Sequence, residues 1–307
     1  MIPAERYLEE MRMSRPASRT LGNIQIMRAL EMVMPFDAAT FFPDASVEDW
    51  RRHAEWLGSA AYNPDTHEVM FAMQSFIVRT SHHTILIDAC VGNDKERPHR
   101  PSWHLKTDDT YLQAFARHGI ALEDIDMVMC THLHTDHVGW NTRLDNGRWV
   151  PTFPNARYIF SKTEYEAWDA DCDPKFSRQH FEDSVLPIVE HGRAELVSND
   201  WALDDEVWLE STPGHTPDHV AINLASHDNR AVMCGDLLHS PVQVAEPEWA
   251  PWPDFDPALA RQTRRAFLEQ HCDTDTLVCT AHFPLPSAGH IVSGTKGFRF
   301  EFDTENW

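Results

Sequence analysis

The sequence is short of basic residues, of long hydrophobic runs and of paired cysteines, and each shortage removes a class of protein. Lysine and arginine number 26 against 48 aspartate and glutamate, a formal net charge of -22 over 307 residues. Binding to a phosphate backbone depends on clustered Lys and Arg, and no basic run longer than a few residues occurs, which argues against a nucleic-acid partner. No segment approaches the roughly 18 consecutive apolar residues of a transmembrane helix, which argues against a membrane span. The six cysteines, Cys90, Cys130, Cys172, Cys234, Cys272 and Cys279, form no CxxC pair, and four of them sit in apolar runs. They read as small buried hydrophobes in a reducing compartment. Near the N-terminus Arg6, Arg12, Arg15 and Arg19 are interrupted by Glu5, Glu9 and Glu10, with no apolar stretch behind them. A secretory signal fits poorly, so a cytoplasmic location is expected.

Linkers and internal repeats are missing too, so a single domain over residues 1–307 is the expectation. With 42% hydrophobic and 24% charged residues the chain can close a large core without disulfides. Strand-like runs span 25–33, 69–78, 84–90, 127–130, 157–160, 207–210, 220–224, 231–234, 277–280 and 298–302. Helical patterns span 110–118, 162–168, 179–189 and 257–270, with Asp109, Ser161 and Asp256 as candidate caps. Strands dominate before residue 90 without a helical interruption, which favours two packed sheets with helices outside over a doubly wound sheet. The proline-rich stretch 246–257 (EPEWAPWPDFDP) carries Trp249, Trp252 and Phe255 and reads as a pocket wall or a surface loop.

What the chain has in excess is histidine, 19 residues in all. Four candidate ligands, His132, His134, Asp136 and His137, fall within residues 131–139 (THLHTDHVG), directly after the apolar run that ends at Cys130. A strand ending there delivers these side chains onto a loop, where they can converge on one point. Imidazole with carboxylate, and no thiolate, suits zinc or a related divalent ion in a hydrolytic site better than a structural zinc. Three further candidates each follow an apolar run: His215 in STPGHTP, Asp236 in VMCGDLL and His282 in VCTAHFPLP. A histidine alone after a strand is usually a hydrogen-bonded core residue, but seven such positions together define a site.

These residues resemble the metallo-β-lactamase superfamily, whose pattern is HxHxDH, a distant His in a GHT turn, an Asp after a strand and a final His. The run ILIDA at 85–89 is similar to the family's strand that ends in a structural Asp, here Asp88. The resemblance implies an α/β (α+β) fold, a four-layer αββα sandwich, with residues 1–60 as an N-terminal extension or arm that caps the cleft or covers a partner in a homodimer. It implies that His132, His134 and His215 hold one divalent metal, that Asp136, His137 and His282 hold a second, and that Asp236 bridges them. Zinc is the expected ion, with manganese, cobalt or iron as alternatives. A bridging hydroxide is then the nucleophile, and Asp136, Asp236 and His239 carry the catalytic roles.

Asp88, His219 and Thr216 stand beside the ligand-bearing turns and are expected to orient them. Trp140, Phe283 and His290 are expected substrate contacts, and Phe41, Phe42, Trp249 and Trp252 are candidates for an apolar cleft. The segments around the ligands look most like the branch that contains methyl parathion hydrolase and its lactonase relatives. An acidic protein disfavours polyanions, so the expected substrate is a small neutral ester or lactone. Organophosphate triester hydrolysis, a glyoxalase II-like thioesterase and, from a different class, a di-iron redox protein are the alternatives.

Overall fold

The computed structural model describes residues 18–295, 297–304 and 307. The first sheet contains β1 (Ser18–Leu21), β2 (Ile24–Asp37), β3 (Tyr62–Asn63), β4 (Glu68–Arg79), β5 (Thr84–Ile87), β6 (Met127–Met129), β9 (Arg157–Ser161) and β10 (Ala194–Val197). Its order is β1-β2-β4-β5-β6-β9-β10, with β3 on β4. A hairpin of β7 (Thr142–Asp145) and β8 (Arg148–Pro151) stands apart. The second sheet runs in order through β11 (Val207–Ser211), β12 (Val220–Ser226), β13 (Asn229–Met233), β14 (Leu277–Cys279), β15 (Ala288–Gly294) and β16 (Gly297–Phe302).

Alternation along the strands explains the layering. In β5 Ile85 and Ile87 face the second sheet while Leu86 faces outward, and in β6 Met127 and Met129 face it while Val128 faces outward. In β12 Val220, Ile222 and Leu224 meet them from the other side, and Ala221 turns to the outer helix. A period of two therefore buries both faces of each sheet. Helix Thr110–Arg117 covers the first sheet with Tyr111, Ala114 and Phe115, and helix Pro257–His271 covers the second with Phe267 and Leu268. The result is the helix, sheet, sheet, helix order implied by the resemblance.

Several local expectations are corrected. Strand β5 stops at Ile87 because Asp88 and Cys90 take positive φ, 58° and 40°. The helix expected over 179–189 is two, Gln179–Ser184 and Leu186–Glu190, divided at Val185 ahead of Pro187, which has no N–H to donate. Ser161 and Asp256 accept backbone N–H bonds as caps, whereas Asp109 does not, and Asp108 Oδ1 accepts from Thr110 N instead.

Residues 1–17 lie outside the described residues. Within residues 18–57, β2 pairs with β4, helix Val47–Leu57 packs Trp50 on Tyr62 and Trp249, and Phe36 and Phe41 reach the cavity described below. That helix opens with a Ser46/Asp49 capping box. Among the described residues no helix is long and apolar enough to cross a membrane.

Candidate metal centre

Five chain segments arrive at one edge of the two sheets. β5 ends at Asp88, β6 leads into residues 131–137, the turn after β11 carries His215, β13 leads to Asp236 and β14 to His282. Parallel pairing of β5 with β6 and of β13 with β14 puts these carboxyl ends side by side. Two glycines make the approach possible. A Cβ on Gly139 would lie 1.9 Å from the Val91 carbonyl oxygen, so only glycine lets the turn after the histidine run pack on the segment after β5. Gly235 has φ +47°, and a Cβ there would meet His219 Nε2 at 2.6 Å, so the residue before Asp236 must be glycine.

Five imidazoles crowd one carboxylate. Asp236 Oδ1 lies 2.9 Å from His282 Nε2 and 3.0 Å from His137 Nε2. Its Oδ2 lies 3.1 Å from His239 Nε2, 3.2 Å from His215 Nε2 and 3.7 Å from His132 Nε2. His134 Nδ1 lies 3.1 Å from His132 Nε2 and 3.0 Å from His215 Nε2. Ligand atoms of His132, His134, His215 and Asp236 all fall within 4.8 Å of one another, and so do those of Asp136, His137 and His282. All are buried except Asp136, which is half-buried.

Four of the imidazoles are turned by a second partner. His137 Nδ1 is 2.8 Å from Asp88 Oδ2, and Asp88 Oδ1 also accepts from the Thr131 N–H at 2.8 Å. His215 Nδ1 is 2.9 Å from Asp254 Oδ1, His282 Nδ1 is 2.9 Å from the Ala72 carbonyl, and His132 Nδ1 is 3.0 Å from Thr131 Oγ1. A carboxylate or carbonyl can only accept, so Nδ1 carries a proton in His137, His215 and His282 and their Nε2 atoms face the centre, where the neutral ring would present its lone pair. His219 supports the frame from behind, with Nε2 accepting the Asp236 N–H at 3.1 Å.

The donor set fits divalent cations. Buried polar groups are ordinarily hydrogen-bonded, yet His137 Nε2, Asp236 Oδ1 and both ring nitrogens of His239 are sealed from water without a hydrogen-bond partner. Burial by itself would raise the Asp236 carboxyl, but His137, His282 and His239 hold it well below the usual carboxylate range. Burial would likewise lower His215, but its contacts with Asp236 and Asp254 lift it to about 9, while burial keeps His239 at about 4. Neutral imidazoles and ionised carboxylates are the forms that ligate metal, so cations placed among these groups would displace the extra proton that Asp236 and Asp254 favour on His215 and would satisfy the orphaned atoms.

The centre lies at one end of a cavity of about 330 Å³. Phe36, Phe41, Phe71, Trp103, Phe176 and Trp252 form its apolar wall, and Arg97, His99, Arg100 and Lys175 also line it. Phe176 stacks on Trp252 at 5.4 Å and sits 4.4 Å from the His134 ring. Lys175 Nζ donates to the carbonyls of Trp252, Pro253 and Asp254 at 3.4, 3.2 and 2.8 Å, which ties the two loops together.

A model of the metallo-beta-lactamase superfamily matches residues 72–282. The chain belongs to that superfamily. Among curated members it is 26% identical over 192 residues to an N-acyl homoserine lactonase of Bacillus thuringiensis, an alignment covering 62% of this chain and 66% of that protein. It is 29% identical over 124 residues to the probable metallo-hydrolase YflN of Bacillus subtilis strain 168, covering 36% of this chain and 44% of that protein. The matched region thus spans less than two thirds of these relatives. Among solved structures, AidC, described as a dizinc quorum-quenching lactonase with a bound product, superposes with a TM-score of 0.79 at 20% identity, covering 94% of this chain and 98% of that one. The hydrolase AbOPH superposes with a TM-score of 0.78 at 23% identity, covering 94% of this chain and 99% of that one. Both share the superfamily fold.

Within the superfamily frame, three expected substrate contacts lie elsewhere. Trp140 is buried against Tyr111 and donates Nε1–H to Glu31. Phe283 follows a ligand but turns away from it, into Phe300 and Phe302. His290 bonds the Thr276 carbonyl at the start of β14, the end opposite His282. Of the aromatic candidates, Phe41 and Trp252 line the cavity, while Phe42 and Trp249 stand behind it on Trp50. Sequence reasoning missed Asp254, which sits inside the proline-rich stretch, and the Ala72 carbonyl, which has no side-chain signal at all.

Proposed function

We propose that this chain is a binuclear metal-dependent hydrolase that opens lactones and cleaves small carboxylic esters. The observation that carries the reading is the convergence of His132, His137, His215, His239 and His282 on Asp236 at one end of an aromatic cavity. His132, His134 and His215 would hold one cation, Asp136, His137 and His282 the other, with Asp236 between them. When bound, two such cations acidify water and polarise an electrophilic oxygen, which supplies both nucleophile and charge stabilisation near neutral pH. Nitrogen and oxygen donors without thiolate favour zinc, with manganese, cobalt and iron as alternatives.

The chain's own residues then have separable tasks. Asp88, Asp254 and the Ala72 carbonyl keep the imidazoles aimed. His239, with Nε2 3.1 Å from Asp236 and its ring 5.3 Å from Phe41, stands where the polar floor meets the apolar wall. That place suits Nε2 to hold a proton for the leaving-group oxygen. The wall suits an apolar acyl or ring portion, and curated relatives named as N-acyl homoserine lactonases support a lactone.

The test is elemental analysis of the purified protein followed by a panel of lactones, aryl esters, phosphotriesters, thioesters and β-lactams with each candidate metal. About two divalent ions per chain and chelator-sensitive lactone or ester hydrolysis are expected. Two irons with an oxidase activity, or no hydrolysis with any of the four metals, would overturn the reading.

A further inference from the structure

The cavity is more basic than the chain around it. Outside the metal centre its lining holds Arg97, His99, Arg100 and Lys175 against a single carboxylate, Glu96, in a protein of formal charge -22. Two of these cations are engaged. The terminal nitrogens of Arg97 grip Asp183 at 2.7 and 2.9 Å, and Lys175 donates to three carbonyls and lies 3.4 Å from Asp173. Arg100 differs from both: among the described residues no carboxylate lies within 4.0 Å of its guanidinium, and no acceptor takes a hydrogen bond from it.

Rings surround Arg100 instead. Its guanidinium carbon stands 5.4 Å from the Phe36 ring centroid, 5.7 Å from Trp103 and 5.9 Å from Trp252, all within reach of a cation–π contact. The backbone is pinned as well, since the Arg100 N–H donates to the Arg97 carbonyl at 2.8 Å and its own carbonyl accepts from Trp103 and His104 at 2.9 Å each. A ring face attracts the charge of a guanidinium but does not saturate its in-plane N–H donors. The residue is half-buried and lines the cavity, so those donors meet neither a protein acceptor nor a closed core.

This cage is set back from the metal floor along both walls. Phe36 lies 5.5 Å from Phe41, whose ring is 5.3 Å from His239, and Trp252 lies 5.4 Å from Phe176, whose ring is 4.4 Å from His134. Two aromatic rings therefore stand between Arg100 and the floor histidines on either side. We infer that Arg100 is a subsite for a carboxylate carried by the substrate at the end remote from the scissile bond, with the rings between them taking an apolar spacer. A planar carboxylate matches the guanidinium fork with two parallel N–H···O bonds. The substrate class is then a lactone or ester with one distant carboxylate, in place of a wholly neutral one, and this rests on the reading of the floor as a lactone and ester hydrolase. The acidity of the whole chain does not oppose it, because repulsion between exposed charges is screened beyond about 8–10 Å at physiological salt, whereas a carboxylate on Arg100 is in direct contact.

The test uses γ-lactones whose side chains, of increasing length, end in a carboxylate or in the isosteric primary carboxamide. At the best length the native protein is expected to prefer the carboxylate by about tenfold or more in kcat/KM. Arg100→Met, which keeps an apolar stem against the rings, should bring the pair within about twofold of each other, and Arg100→Lys should restore part of the preference. A merely structural role would weaken both substrates together and leave their ratio in place. Calorimetric binding of the matching cyclopentanones, which keep the ring carbonyl but have no scissile C–O bond, gives a readout free of turnover: tighter binding of the carboxylate by the native protein, lost in Arg100→Met, is expected. No preference for the carboxylate at any chain length, or an unchanged preference in Arg100→Met, overturns the subsite. If no lactone is opened, the hydrolase reading fails by itself, and the ketone pair still decides the subsite, which equal affinities would overturn.

Discussion

The floor of the cavity and its wall are built by different means. Floor residues come from the carboxyl ends of strands in both sheets, and most of them are tethered twice, once toward Asp236 and once to Asp88, Asp254, Thr131 or the Ala72 carbonyl. Wall residues come from β2 and β4, from helix Ala38–Phe41 and from loops, and they are held by ring packing and by the Lys175 clamp. Directional bonds on rigid strands place atoms to a few tenths of an ångström, which metal ligation demands. Aromatic packing fixes a shape but tolerates exchange of one ring for another, which suits a surface that sorts substrates. The difference teaches that chemistry and selectivity can vary independently here.

Substitutions that strike only one region break that independence or sharpen it. The largest effect is expected at the floor: Asp236→Asn should cost about three orders of magnitude or more in turnover and lower the metal content, with the folded state kept by circular dichroism. Retained activity would remove Asp236 from the centre. In the core behind the wall, Trp50→Ala opens the stack on Tyr62 and Trp249 and should cost about 3–5 kcal/mol in denaturant unfolding, with metal content unchanged. Loss of metal at native stability would show that wall and floor are coupled.

Asp254→Asn bridges the comparison, since Asp254 lies in the wall loop but aims His215, with Arg264 Nη2 3.3 Å behind it. A fall of about 10–100-fold in metal affinity or activity is expected, measured by competition with a chelator. The smallest effect belongs to Lys175→Met, which frees the two loops. Its expected signature is a several-fold higher KM with kcat nearly unchanged, as for loss of uniform binding. A drop in kcat at constant KM would place the clamp in the chemistry instead.

Legibility followed the same division. The floor could be read because HLHTDH compresses four ligands into six residues and the remaining three each follow an apolar run, so local order carries the pattern. Strand alternation such as IQIM and TILI likewise made two buried sheets visible. The wall could not be read, since nothing local separates Phe176, which covers His134, from Phe283, which is buried in the core. Trp140 shows the failure in the other direction: it is next to the ligand run, yet its ring faces Tyr111 because the turn at Gly139 carries it beneath the first sheet's helices. The hairpin β7–β8 and strand β10 were missed because their exposed or half-buried residues give weak periodicity.

By itself, the sequence determined the identity of the candidate ligands, the two-sheet architecture and the acidic, histidine-rich character, because those depend on residue type and on spacing along a strand. Tertiary structure decided which carboxylate aims which imidazole, which aromatic rings enclose the cavity, and that three of those rings surround Arg100. Those outcomes depend on contacts between segments far apart in the chain, such as Ala72 with His282, where no local pattern records which residue will meet which.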